Sequence, residues 1–134
     1  MLGRRPASLE LPAALGLGVG LVDDYADDAF GFVVEATGNQ GGFAQSLRLV
    51  RPLGTLVLKS TFQGKVHLDL TKLVVGEINV VGCRCGPFAP ALRLLAQGAV
   101  NVSSLLETEY PLSDGLAAFD HAARPGVRKI LLRP

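Results

Sequence analysis

Short apolar runs alternate with polar breaks along the whole chain, and the spacing of the apolar positions changes from run to run. Residues 30–36 (FGFVVEA) and 55–58 (TLVL) are aromatic and β-branched, which predicts strands. Residues 78–81 (INVV), ended by Gly82, and 127–132 (VRKILL) read the same way. Nearly continuous apolar runs of this kind mark strands covered on both faces, as in a parallel sheet. Between the strands the period lengthens. Phe43, Leu47 and Val50 share one helical face, and Arg51-Pro52-Leu53-Gly54 closes that helix. After Pro87 a second helix carries Phe88, Ala91, Leu92 and Leu95 on one face and stops at Gly98. Ser113 is placed to cap a last helix over 114–123, ahead of Pro125-Gly126. A weak helix over 6–15 is distorted by Pro12, and a short strand follows over 19–22. A solvated loop holds Asp23, Asp24, Asp27 and Asp28, and TGNQGG at 37–42 is a turn. Residues 62–70 read as irregular or extended, 71–75 as one helical turn and 105–110 as extended. Strands alternating with helices predict right-handed crossovers and an α/β fold with a parallel sheet.

Composition sharpens this picture. The chain has 134 residues, enough for one domain with a core. It is 49% hydrophobic, which is high for a domain of this size and implies a core meant to be covered by something outside it. No apolar run reaches the length of a bilayer span, and Arg4, Arg5 and Pro6 make a poor secretory signal. The net charge is +1 with the two signs scattered and no Trp, so nucleic acid is not expected as a partner. Cys83 and Cys85 stand one residue apart, a spacing that rarely gives a strain-free disulfide, so the chain reads as reduced and cytoplasmic.

Three segments in order carry a family resemblance. FGFVVEATGNQGGFAQSLRLVRPLGTLVLKS, residues 30–60, resembles the fourth strand, glycine turn, helix and fifth strand of the medium-chain dehydrogenase/reductase (zinc-type alcohol dehydrogenase) family. GEINVVGCRCGPFAPALRLLAQGAV, residues 76–100, resembles its sixth strand and the helix after it. YPLSDGLAAFDHAARPGVRKILLRP, residues 110–134, resembles its C-terminus, and residues 1–29 fit the end of the second strand, a helix and the third strand. The fold this implies is an incomplete Rossmann-like parallel sheet with flanking helices, lacking the first strand and its glycine-rich loop. Residues 1–109 would be a partial nucleotide-binding domain, and 110–134 a segment packing on a catalytic domain that the chain does not contain. Gly16-Leu17-Gly18-Val19-Gly20 does not supply the missing G-x-G-x-x-G loop: its third glycine comes one residue early and it follows a helix. With the central first strand absent, the third and fourth strands would become neighbours only if the sheet repacked.

The resemblance implies an NADP or NAD cofactor across the carboxyl ends of the strands, with zinc held only in the absent half. Gly3-Arg4-Arg5 falls at the end of the second strand, where arginines would pair with the 2′-phosphate of NADP or simply be solvated. Thr37 and Gly38 end the fourth strand beside the expected cleft. Glu35, the only charge in that strand, is either an acceptor for the ribose or for residues that touch it, or a satisfied strand-end carboxylate. Ser60 stands where many relatives have a glycine near the nicotinamide. Cys83 and Arg84, after the sixth strand, would run near its carboxamide. Two thiols without further ligands do not make a zinc site. Arg128 matches a position where some relatives set an arginine on the pyrophosphate, and is otherwise a surface arginine. His67 and His121 stand apart from any nucleophile, and no G-x-S-x-G elbow occurs. The implied activity is hydride transfer between NAD(P)H and an alcohol or carbonyl, with this chain inactive alone. The alternative is a non-catalytic module, dimerising through the edge of the sixth strand or left as a remnant without cofactor binding.

Overall fold

A computed structural model describes residues 1–61 and 65–134. In chain order its elements are β1 (Leu2–Gly3), α1 (Glu10–Ala14), β2 (Gly20–Leu21), β3 (Phe30–Glu35), α2 (Gln40–Leu49) and β4 (Val50–Leu58). There follow α3 (Leu70–Val75), β5 (Asn79–Gly82), α4 (Phe88–Ala96), β6 (Leu106–Pro111), α5 (Gly115–Ala122) and β7 (Lys129–Arg133). The chain forms two units: residues 20–85 with Leu2, and Met1 with residues 3–19 and 86–134. Of the predicted irregular stretch 62–70, residues 62–64 lie outside the described residues.

In the unit of residues 20–85, β3, β4 and β5 form a parallel sheet in that order. The alternation predicted from sequence is therefore an α/β arrangement with parallel strands. Helix α2 lies on one face. Phe43 and Leu47 from the helix meet Val50 and Leu56 from β4 in a dry cluster, with Val33, Leu58, Leu73 and Ile78 packed around it. Each such side chain contributes about 1.5–3 kcal/mol over leaving it in water. In register on the opposite face, Phe32 and Val34 are 63% and 52% exposed. Strand β2 pairs with β1, and among the described residues it is not a neighbour of β3, so the sheet has not repacked around the missing strand.

Two boundaries differ from the sequence reading. Helix α2 begins at Gln40, inside the stretch predicted as a turn, because the extended Asn39 accepts from the Gly42 amide at 2.9 Å and caps it. Residues 51–54 do not close the helix; they already belong to β4. The pairing runs Phe30 with Val50 and then Phe32 with Thr55, so those residues form an irregularity within the strand. Leu53 sits there at φ 60, held by its amide on the Gly76 carbonyl at 2.7 Å. Arg48 ties the aspartate loop to α2 through the Val22 and Tyr25 carbonyls and Asp27.

In the other unit β6 and β7 pair in parallel, with α5 crossing between them. Helix α5 starts one residue later than predicted. Asp114, not Ser113, is its N-cap, and the Ser113 hydroxyl turns to the Asp114 carboxylate instead. A polar cluster joins the three elements: the Arg128 amide donates to Glu107 at 2.9 Å, and Tyr110 Oη lies 3.0 Å from His121 Nδ1. Among the described residues no helix is long and apolar enough to cross a membrane.

Candidate functional site

Parallel pairing sets the strand ends in a row. Glu35 is in register with Leu58, and Leu58 with Gly82. The residues that follow, Thr37-Gly38, Lys59-Ser60 and Cys83-Arg84, therefore come out on one edge of the sheet, the edge where α/β folds bind ligands. Five of the residues predicted from sequence meet here: Thr37, Gly38, Ser60, Cys83 and Arg84.

Glu35 organises the first part of this edge. It is 1% exposed. Its Oε1 accepts from the Thr37 amide at 2.6 Å, the Thr37 hydroxyl at 2.6 Å and the Gly38 amide at 3.2 Å. Burial pushes the Glu35 carboxyl up, but the bonds from Thr37 and Gly38, with the Ser60 hydroxyl nearby, outweigh it and hold it below its ordinary value. Of the two roles open to Glu35 in the sequence, the satisfied strand-end carboxylate is the observed one. Gly38 adopts φ 72, a conformation glycine takes without strain.

Lys59 holds the second part. Its ammonium donates to the Arg84 carbonyl and lies 4.0 Å from Cys83 Sγ, while the Cys83 amide bonds the Leu58 carbonyl at 2.9 Å. Both cysteines are free and exposed. Among the described residues no group of three or more His, Cys, Asp or Glu is placed to hold a metal, so the residues present do not fit a zinc ion. They do fit a ligand that approaches the backbone closely. A Cβ on Gly82 would meet nothing within 4 Å, and one on Gly38 would meet only the Thr61 carbonyl, at 3.8 Å.

Arg4, Arg5 and Arg128 belong to the other unit. Arg4 and Arg5 are exposed just after β1, the strand end at which the sequence set them. Arg128 is engaged locally, with Nη1 on the Ser104 carbonyl at 3.3 Å and Nε 3.7 Å from Glu107.

Three residues that position this edge were not singled out in the sequence. Thr37 lies against Gly42 in the first turn of α2, where a Cβ would stand 1.8 Å from the Thr37 hydroxyl. Asn39 caps that turn, and the N-cap signature of an Asn ahead of a helical run was its one available signal. Gln40 pins the extended backbone at His67, donating to its carbonyl at 2.9 Å and accepting from its amide at 3.1 Å.

Known proteins agree with the fold. No family model matches the chain. An alcohol dehydrogenase of Cupriavidus necator is 32% identical over 109 residues, 75% of this chain and 30% of that protein. A cobalt- and zinc-bound thermostable alcohol dehydrogenase from Pyrobaculum aerophilum superposes with a TM-score of 0.83 at 28% identity, over 99% of this chain and 42% of its own. The chain belongs to the zinc-type alcohol dehydrogenase family. It corresponds to the C-terminal part of that family, with most of the nucleotide-binding domain. It spans about a third of the length of the curated relatives it matches. A zinc-binding dehydrogenase from Sinorhizobium meliloti 1021, bound to NADP, shares the fold at a TM-score of 0.85 and 22% identity, over 99% of this chain and 44% of its own.

Proposed function

We propose that this chain is the cofactor-holding portion of an NAD(P)-dependent alcohol dehydrogenase-like oxidoreductase, acting in a reduced, cytoplasmic setting. The observation that carries the reading is the common edge on which Thr37, Gly38, Ser60, Cys83 and Arg84 meet. In this reading Thr37 and Gly38 line the dinucleotide, and Ser60, Cys83 and Arg84 border the nicotinamide. Arg4 and Arg5 pair with the 2′-phosphate of NADP, which forks of guanidinium donors suit well. Arg128 reaches the pyrophosphate on leaving Ser104 and Glu107. When bound, the nicotinamide would donate hydride to a carbonyl carbon in its reduced form, or accept it from an alcohol carbon in its oxidised form. The zinc that would polarise the substrate oxygen belongs, by family resemblance, to a part of the relatives that this chain does not span, so turnover by the chain alone is not expected. Residues 1–109 are then the partial nucleotide-binding domain. Residues 110–134 pack on the catalytic domain, which the exposure of Leu112, Leu116 and Phe119 supports.

The test is calorimetric titration of the 134-residue chain with NADPH and with NADH. Saturable binding that favours NADPH, weakened about tenfold by the Arg4→Ala/Arg5→Ala pair for NADPH alone, supports the reading. Absence of binding to the folded chain rejects it. A second reading is favoured by one observation: β5 ends the sheet and its residues are exposed along its whole length, leaving an edge open to a second copy. Light scattering that finds a dimer without cofactor binding would make the chain an association module.

A further inference from the structure

Glu35 is the only buried charged side chain among the described residues, and the protein spends it in an unusual way. A buried carboxylate is costly unless donors surround it. Here the donors come from Thr37 and Gly38, which line the dinucleotide in the proposed function, on which this inference rests. The bonds also fix polarity. An ionised carboxylate only accepts, so the hydroxyl of Thr37 gives its single proton to Glu35. Toward a ligand that hydroxyl then presents lone pairs alone. It complements sugar hydroxyl and amide N–H donors and repels phosphate oxygens.

We propose that Glu35 is a positioning residue that makes Thr37 an obligate acceptor for the hydroxyl and amide donors of a nicotinamide dinucleotide, without itself touching the ligand. The lowered pKa of Glu35 keeps it ionised at neutral pH, so this polarity persists. A glutamine of the same size would return an NH₂ donor to the cluster, so that the Thr37 hydroxyl is no longer committed as donor.

The test uses the ¹⁵N-labelled 134-residue chain as wild type, Glu35→Gln, Thr37→Val and Thr37→Ser. Amide hydrogen exchange is measured first, without ligand. In Glu35→Gln the Thr37 and Gly38 amides are expected to exchange about tenfold faster while the β3–β4 ladder keeps its protection. Equal loosening of the whole ladder, or no change at Thr37 and Gly38, overturns the proposal and leaves Glu35 a general support of the fold. NADPH titration of the same samples follows. Affinity is expected to fall about tenfold in Glu35→Gln and in Thr37→Val and to be kept in Thr37→Ser, which restores the hydroxyl. Unchanged affinity in Glu35→Gln or Thr37→Val overturns the proposal and leaves the cofactor reading standing. No binding by the wild type overturns the cofactor reading and this ligand assignment with it.

Discussion

Helices α2 and α5 are both crossovers between parallel strands, and the sequence dresses them in opposite ways. Helix α2 turns Phe43 and Leu47 onto its sheet and closes a dry core with Val50 and Leu56. Helix α5 turns the small Ala118 inward and leaves Leu116 and Phe119 at 86% and 70% exposure. Around α5, cohesion falls to polar contacts among Glu107, Tyr110, His121 and Arg128. The same βαβ pattern thus yields one self-supporting layer and one that keeps its apolar face outward. Periodicity alone does not separate the two, because both helices carry apolar residues at helical spacing. What separates them is which residue size faces the strands.

That contrast can be broken most directly at Leu56. It is fully buried in the central strand, so Leu56→Ala is expected to cost about 2–5 kcal/mol in denaturant unfolding. Leu131→Ala in β7 removes a partly exposed side chain, and a cost under about 1 kcal/mol is expected. Equal costs would mean that the two layers are equally packed. Gly42→Ala comes next. Its new Cβ would occupy the space of the Thr37 side chain, and a loss of about 1–3 kcal/mol is expected, seen as a lower Tm.

Loss of charge at Glu107 tests the polar layer. Glu107→Gln weakens the ion pair with Arg128, which is only partly shielded from water, and up to about 1 kcal/mol is expected. Double substitution of Leu116 and Phe119 by Ser should move stability by less than about 0.5 kcal/mol while reducing self-association in sedimentation. A large destabilisation there would show that the face is covered within the chain.

Acid titration separates the two layers in another way. The folded pKa of Glu35 lies below its ordinary value, so its contribution to stability is fully present above the ordinary carboxylate range and is lost as pH falls through the lowered value. Glu35→Gln should flatten that acid limb of the unfolding curve for the β3–β5 sheet. An unchanged limb would mean that its hydrogen bonds do not favour the ionised form.

Most of the strands and helices were legible because runs such as FGFVVEA and TLVL have few alternatives to a strand, although Phe32 and Val34 leave one face of β3 exposed rather than covered. The start of α2 was misread because Gly41 and Gly42 look like turn residues, and the contact with Thr37 that makes room for glycine there is tertiary. The extension of β4 through Pro52 and Gly54 was hidden because both residues punctuate a local pattern, whereas β4 pairs with β3 on either side of them, at Val50 and Thr55, and the Leu53 amide between them bonds the Gly76 carbonyl. At the candidate site Thr37, Gly38, Ser60, Cys83 and Arg84 could be named from their places after strand ends. Lys59 could not be given its part, because its partner, the Arg84 carbonyl, stands 25 positions away.

The sequence by itself determined the alternation of strands and helices, the family resemblance and the strand ends at which chemistry is expected, because these follow from local period and residue type. Only the tertiary structure decided that Glu35 is buried with its carboxylate on Thr37 and Gly38, and that Lys59 fastens the loop after β5. The Lys59 contact joins the ends of successive parallel strands, whose crossover separates them in the chain and whose register brings them to one edge.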